Sequence, residues 1–166
     1  MKKAPLSPDE TPASRQTDRI DRQILKQLQS DASISNVALA ARVNLSAAAC
    51  LRRVERLKET GLIRATVAIL DPKKLGAGML VLIGVVLDRS TPESFMSFEK
   101  AARKVQGCME CHVVTGEFDY FMLVRTRDSE SFNKLHADQL LYLPGVRQIR
   151  TFMVLREILS TTALPL

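Results

Sequence analysis

The stretch that decides the fold is Val-Asn-Leu-Ser-Ala-Ala-Ala-Cys-Leu-Arg-Arg-Val-Glu-Arg-Leu, residues 43–57. Asn44 predicts a tight turn, because asparagine tolerates the left-handed backbone that such a corner needs. Ser46 then supplies a hydroxyl that can cap a helix, and Gly61 is a natural stop for it. The apolar stripe expected on this helix is Cys50, Leu51, Val54 and Leu57.

Upstream of this stretch the sequence predicts two more helices. The first begins at a cap, Thr17 or Asp18, and its apolar residues recur at helical spacing: Ile20, Ile24, Leu25 and Leu28. A short second helix is expected over residues 36–42, where the small Ala40 lets two helices approach closely. Two short helices joined by a turn form a helix-turn-helix, whose last helix lies in the major groove of DNA. We therefore assign residues 17–62 to a helix-turn-helix DNA-binding domain.

The charge distribution favours a nucleic-acid partner. The formal net charge is +6, and all of this excess falls within residues 14–76. Clustered basic charge attracts a polyanion such as double-stranded DNA. A basic surface that is merely solvated is the alternative, and charge alone does not separate the two.

Composition sets further limits. A chain of 166 residues, 46% of them hydrophobic, can form one ordinary domain or two small ones. Its longest apolar run is far shorter than the ~20 residues that span a bilayer. Three cysteines cannot all pair, which favours reduced thiols and a cytoplasmic location. Residues 1–16, rich in proline, serine and threonine, are expected to form a disordered tail.

The second half predicts the order strand, helix, strand, strand, helix, strand. Residues 63–78 are expected to hold a strand, Ile63–Leu70, and then a linker. Residues 79–166 form the second domain, with strands expected at Met79–Leu87, Met109–Thr115, Phe118–Arg125 and Val146–Ile158. This α+β order is the ferredoxin-like βαββαβ arrangement. One face of its sheet would remain apolar and uncovered, so we expect two chains to pair sheet against sheet as a homodimer.

The outward side of the third helix carries the residues expected to touch DNA. Arg52 and Arg56 lie one turn apart, and Arg53 is expected on the same face. Arginine can grip a phosphate or read guanine through two hydrogen bonds, and an alanine methyl can touch a thymine methyl. The candidate DNA-binding residues are Asn36, Ser46, Ala48, Ala49, Arg52, Arg53 and Arg56.

Several stretches resemble one family of bacterial regulators. In the first half they are Asp18-Arg-Ile-Asp21, Ile34-Ser-Asn-Val37, Val43-Asn-Leu-Ser46, Cys50-Leu51 with Arg53-Val54, and Arg56-Leu57. In the second half they are Glu110-Cys-His112, Gly116-Glu-Phe-Asp-Tyr120, Leu143-Pro-Gly-Val146 and Thr162-Ala-Leu-Pro-Leu166. In order and spacing, residues 17–166 are similar to the Lrp/AsnC (leucine-responsive/asparagine-operon) transcription regulators.

The resemblance implies a sequence-specific DNA-binding dimer whose C-terminal sheets form its core. It also implies assembly of dimers into octamers and amino-acid effectors bound in clefts between dimers. The chain departs from the family at Ser46-Ala-Ala-Ala49, where proline and threonine are common. Arg52 and Glu55 exchange the signs found in well-known members, and Thr17 replaces a leucine. A different operator sequence is therefore expected.

The turn at residues 116–119 is the candidate effector site. Gly116 allows close approach to backbone N–H groups, which suit a carboxylate, while Glu117 or Asp119 could hold an ammonium. An α-amino acid would be matched at both ends. Beside Phe118 of the same turn, the residues that the resemblance places in the cleft are Val113, Leu141, Thr151, Phe152 and Val154. Ordinary hairpin chemistry and plain core packing are the alternatives.

Other functions have weaker support in the sequence. Cys108 and Cys111 have redox-motif spacing but lead into a predicted strand, so neither metal nor redox chemistry is expected. His112 and His136 have no spacing that suggests a metal site, and no cofactor or enzyme activity is predicted. A siroheme decarboxylase with the same architecture is one alternative. A nucleoid-type protein that wraps DNA with little sequence preference is the other.

Overall fold

The computed structural model describes residues 17–166, so the predicted disordered tail, residues 1–16, lies outside the described residues. The chain divides into two units. The first runs to Ala68 and also includes the end of the chain, Leu159–Leu166; the second is Ile69–Ile158. The sequence analysis had placed residues 159–166 in the second domain. They join the first unit because the side-chain amide of Gln29 both donates to and accepts from the backbone of Leu164, at 3.1 and 2.6 Å.

The first unit contains the three predicted helices, α1 (Arg19–Ser30), α2 (Asn36–Arg42) and α3 (Ala47–Glu59). Each begins at a polar cap, namely Asp18, Ser35 and Ser46, whose side chain accepts a backbone N–H of the first turn. Asn44 has a φ of 55° in the turn between α2 and α3, as its residue type predicted. The core of this unit consists of Ile24, Leu39, Ala40, Val43, Cys50 and Leu57.

The strand predicted at Ile63–Leu70 is wrong. The chain there has no regular secondary structure and no strand partner among the described residues, and Val67, Ile69 and Leu70 are largely exposed. A strand exists only where a neighbouring backbone completes its hydrogen bonds. The residue types favoured β structure, but they could not supply that neighbour.

The second unit has the predicted ferredoxin-like topology. Its elements are β1 (Met79–Leu87), α4 (Pro92–Ala102), β2 (Cys108–Val113), β3 (Tyr120–Thr126), α5 (Ser129–Asp138), a 3-10 turn (Leu140–Tyr142) and β4 (Val146–Met153). The four strands are antiparallel in the order β2-β3-β1-β4. The last strand ends at Met153, short of the predicted Ile158, because Met153 is the last residue of β4 with a pairing partner on β1.

The two faces of this sheet differ. One face packs against α4 and α5 through buried residues including Ile83, Tyr120, Met122, Phe98 and Phe132. The other carries residues that alternate with these. We call it the helix-free face, and its members are Leu80, Leu82, Gly84, Val86, Phe121, Leu123, Arg125, Arg150 and Phe152. Phe152 retains 46% of its exposure there. A partly exposed apolar sheet face is typical of a surface that another molecule covers.

Two glycines provide a test of the packing between β3 and the turn that precedes β2. Gly107 and Gly76 have the same φ, 69°, but only at Gly107 would a Cβ overlap a neighbouring atom, the backbone oxygen of Arg125. We expect Gly76→Ala to cost about 1–2 kcal/mol, the penalty of left-handed backbone for a residue with a Cβ. Gly107→Ala should lower the free energy of unfolding by clearly more, because strand β3 must shift. Urea denaturation measures both, and equal losses would contradict this packing.

Candidate nucleic-acid interface and ligand turn

The inward side of α3 is not the stripe that the sequence predicted. The residues facing the core or α1 are Cys50, Arg53, Val54 and Leu57, at the spacing i, i+3, i+4 and i+7. Leu51, expected to be buried, is 47% exposed. Arg53 lies on the inward side instead, so the expectation that three arginines share an outward face is wrong for Arg53.

An acidic partner on α1 explains why an arginine can face inward. Asp21 is 1% exposed, and its Oδ1 accepts a hydrogen bond from Arg53 Nη1 at 2.9 Å. Its Oδ2 accepts from Arg56 Nη2 and from the backbone N–H of Asp18. Arg53 Nη1 also pairs with Asp18 Oδ2 at 2.7 Å. These four side chains, which we call the acidic clamp, join the first turn of α1 to the middle of α3.

The clamp favours the ionised forms of Asp18 and Arg53. The backbone N–H of Asp21 and the Arg53 guanidinium hold the pKa of Asp18 below its usual range. Hydrogen bonds from Arg53 to Asp18 and Asp21 raise the pKa of Arg53. The sequence analysis missed this role, although a signal was present. Asp18 and Asp21 lie three residues apart at a helix start and form a capping box, each side chain accepting the other's backbone N–H.

The outward stripe of α3 is Ala48, Arg52, Glu55 and Glu59, all of which are exposed. Arg52 makes no ion pair within residues 17–166, so its guanidinium is available to a partner. Arg56 lies at the flank of this stripe with 49% of its side chain exposed, even though it contacts Asp21. Among the arginines of α3, Arg52 is therefore the one that is both exposed and without an ion pair within residues 17–166.

The remaining predicted DNA-binding residues lie around the start of α3. Asn36 donates through Nδ2 to the backbone oxygen of Ala47 at 2.7 Å, which fixes α2 to α3. Ser46 Oγ accepts the N–H of Ala49 at 3.2 Å and remains exposed. Ala49 itself is half-buried. Asn36 and Ala49 thus shape the reading helix, whereas Ser46 and Ala48 lie on its surface.

The predicted ligand turn lies between β2 and β3. Gly116 has a φ of 117°, and a Cβ there would meet no atom within 4 Å, so the turn is open. Glu117 is exposed and pairs through Oε1 with Arg150 Nη1 at 2.6 Å. Asp119 is already engaged: its Oδ2 accepts the backbone N–H of Leu87 at 2.7 Å, which ties the turn to the end of β1.

Phe118 turns onto the helix-free face. Its ring covers Gly84 so closely that a Cβ there would lie 2.6 Å from Cε1. The ring lies 5.0 Å from that of Phe121 and 6.4 Å from that of Phe152, and the guanidinium of Arg150 lies 5.7 Å from its centre. Of the other predicted cleft residues, Val113, Leu141 and Thr151 are exposed and Val154 is half-buried. The structure therefore groups Glu117, Phe118, Phe152 and Arg150, whereas the strand register places Val113 and Thr151 on the helix-packed face, beside Tyr120 and Ile83.

The cysteines lack the features of a reactive site. Burial raises the pKa of Cys108 and raises that of Cys111 to about 11, so both thiols stay protonated near neutral pH. Within residues 17–166, no three His, Cys, Asp or Glu side chains are grouped as a metal ion would require. In the same range, no helix has the length and apolar character that crossing a bilayer demands.

Comparison with known proteins agrees with both units. The family profile of a winged helix-turn-helix DNA-binding domain matches residues 17–64, and that of the Lrp/AsnC ligand binding domain matches residues 80–164. The chain is 44% identical to the leucine-responsive regulatory proteins of Escherichia coli K12 and Klebsiella pneumoniae over 147 residues, which are 89% of this chain and 90% of each relative.

Solved structures show the same architecture. A transcriptional regulator of Neisseria meningitidis, crystallised with L-methionine, superposes with a TM-score of 0.85 at 34% identity, covering 90% of this chain and 96% of that one. An AsnC family regulator of Agrobacterium tumefaciens gives 0.86 at 28% identity, covering 90% and 97%.

A winged helix-turn-helix DNA-binding domain followed by a ligand-binding domain, together with relatives that are regulatory proteins, identifies a DNA-binding transcription regulator. The chain belongs to the Lrp/AsnC family, which confirms the resemblance found in its sequence.

Proposed function

We propose that this regulator reads a specific DNA sequence through the outward stripe of α3, centred on Arg52. The observation that carries the proposal is the division among the α3 arginines, since Arg52 is free and exposed while Arg53 and Arg56 contact Asp21. Arg52 would read a base edge, with the Ala48 methyl beside it and the Ser46 hydroxyl near a phosphate. Asn36, Ala49, Arg53 and Arg56 contribute by holding the helix.

Selection of bound duplexes from a random-sequence library tests this function. We expect a preferred sequence with two related half-sites about 10 bp apart, because a two-fold dimer presents one reading helix to each. Recovery of duplexes with no common sequence would instead indicate the nucleoid-type alternative, in which specific and non-specific affinities are nearly equal.

Substitution of Arg52 tests its proposed role as a base reader. Arg52→Ala should cost about 1–3 kcal/mol of binding to the preferred duplex and relax the preference at one position in each half-site. Lys58→Ala, which removes one exposed cation from the last turn of the same helix, is the matched control and should leave the preferred sequence unchanged. Binding isotherms and repeated selection measure both. An unaltered sequence preference in Arg52→Ala would rule out its role as a base reader.

For the ligand, we propose an amino acid bound at the turn of residues 116–118. Glu117 Oε1 and Arg150 Nη1 lie 2.6 Å apart and carry opposite charges. The carboxylate of Glu117 matches the ammonium group of an amino acid, and the guanidinium of Arg150 matches its carboxylate. The ring of Phe118 supplies an apolar surface beside them. The L-methionine in the neisserial structure supports this ligand class. Val113, Thr151, Phe152, Val154 and Leu141 are proposed to complete the cleft once chains assemble.

Glu117→Ala tests the ligand turn. The variant should bind the preferred duplex as the wild type does, while L-methionine and L-leucine should shift that binding at least about tenfold less effectively, as expected for loss of one charged contact. Glu110→Ala is the matched control, because Glu110 is also exposed and contacts a neighbouring side chain, His112, at hydrogen-bond distance, but lies outside the turn. Asp119→Ala is unsuitable, because it also removes the acceptor of the Leu87 N–H. An undiminished response in Glu117→Ala would place the ligand elsewhere.

We further propose a homodimer formed on the helix-free face, assembling further into a tetramer of dimers. The partly exposed ring of Phe152 and the apolar side chains around it on this face would leave water when two copies pair sheet against sheet. We place this assembly in the cytoplasm, where its DNA and reduced thiols belong.

Phe152→Asp tests the dimer. A two-fold interface loses two phenylalanines and gains two charges, so its dissociation constant should rise at least about 100-fold. Tyr142→Asp, an exposed aromatic on the 3-10 turn, is the matched control and should leave the mass unchanged. Analytical ultracentrifugation reports the mass of each. A Phe152→Asp variant that sediments like the wild type would exclude this face.

A further inference from the structure

We propose that Asp21 is a positioning residue for DNA recognition: it withholds Arg53 and Arg56 from DNA and so decides which side of α3 reads bases. The inference rests on the proposed reading role of α3. It adds that a residue on α1, on a helix that need not touch the duplex, determines sequence specificity.

The geometry of the carboxylate is the first support. Asp21 is 1% exposed, and both of its oxygens are occupied: Oδ1 by Arg53, and Oδ2 by Arg56 and the backbone N–H of Asp18. A buried carboxylate is tolerated only when it is paired and hydrogen-bonded. Asp21 therefore depends on the two arginines as much as they depend on it.

This mutual dependence makes it unfavourable for a DNA phosphate to break the contact between Arg53 and Asp21. For a phosphate to draw Arg53 away, it would have to leave a buried carboxylate without its partner, and that loss opposes the new contact. Asp18, which is half-exposed, adds a second acceptor for Arg53 at 2.7 Å. The two carboxylates of the clamp thus neutralise its two guanidinium groups, so neither arginine contributes to the positive charge that attracts a duplex.

The position of Arg53 and Arg56 on α3 connects the clamp to DNA sequence specificity. Arg53 lies on the inward side of α3 and Arg56 at its flank, both on the side toward α1. If Arg53 and Arg56 were released from Asp21, their guanidinium groups would lie beside the groove and would bind phosphates of any sequence. While Asp21 holds them, they fix the rotation of α3 about its axis, so that Arg52 and Ala48 point outward.

Asp21→Asn is the test, because it keeps the shape of the side chain but removes its charge and one acceptor. The probes are a duplex selected by the wild-type protein and a random-sequence duplex of equal length. The variant should bind the random duplex as tightly as the wild type or more tightly, with a salt dependence steeper by up to about two in its log–log slope. Its preference for the selected duplex should fall at least about tenfold. A parallel loss of both affinities with an unchanged slope, as expected from simple loosening of the fold, would overturn the proposal.

The source of the added phosphate contacts is checked by Asp21→Asn combined with Arg53→Gln and Arg56→Gln. This triple variant should return the slope for the random duplex to the wild-type value. A slope that stays steep would show that other cations are responsible and would also overturn the proposal.

If Asp21→Asn does not fold, as judged by its thermal melt, two arginine variants in the wild-type background decide the question. Arg53→Gln breaks the contact that holds α3, so it should lower the preference at all positions of the half-site together. Arg52→Gln should relax one base position only. An unchanged preference in Arg53→Gln, or relaxation at a single base position as a direct base reader would give, would contradict the inference. The proposed function fails separately, if the wild-type protein selects no sequence at all.

Discussion

The reading domain depends on the pairing of one buried carboxylate, that of Asp21, with two guanidinium groups of α3. The helices of this unit are short and enclose a small core, to which α3 contributes the buried Cys50 and Leu57. An ion pair between Asp21 and Arg53 is directional and therefore fixes the rotation of α3. The capping box at Asp18 uses the same two acidic residues, so the start of α1 and the orientation of α3 are set by one cluster.

Most of the fold followed from the sequence, because local signals and tertiary packing agree. Ser46 and Asn44 predicted the boundary of α3 correctly, since capping and left-handed backbone are properties of single residues and their neighbours. The strand at Ile63–Leu70 could not be judged locally, because a strand depends on a partner distant in the sequence. The length of β4 was overestimated for the same reason: apolar residues continue past Met153, but its pairing partners do not.

The site was less predictable than the fold. Periodicity assigns an arginine to the outside, and Arg53 violates that rule because its partner lies 32 residues away on another helix. The turn at residues 116–119 is open at Gly116, but the carboxylate of Asp119 is engaged by the backbone of β1, a contact that no local pattern indicates. Glu117 and Arg150, from different elements, form the charged pair that was not expected.

We propose that Arg52 faces DNA while Arg53 and Arg56 stay bound to Asp21. Arginine side-chain NMR of the protein, free and in complex with its selected duplex, distinguishes these environments. Among the arginines of α3, the guanidinium resonances of Arg52 should shift and become protected on binding, while those of Arg53 and Arg56 keep their free-state positions. Protection of Arg53 or Arg56 by the duplex, with Arg52 unchanged, would contradict this proposal.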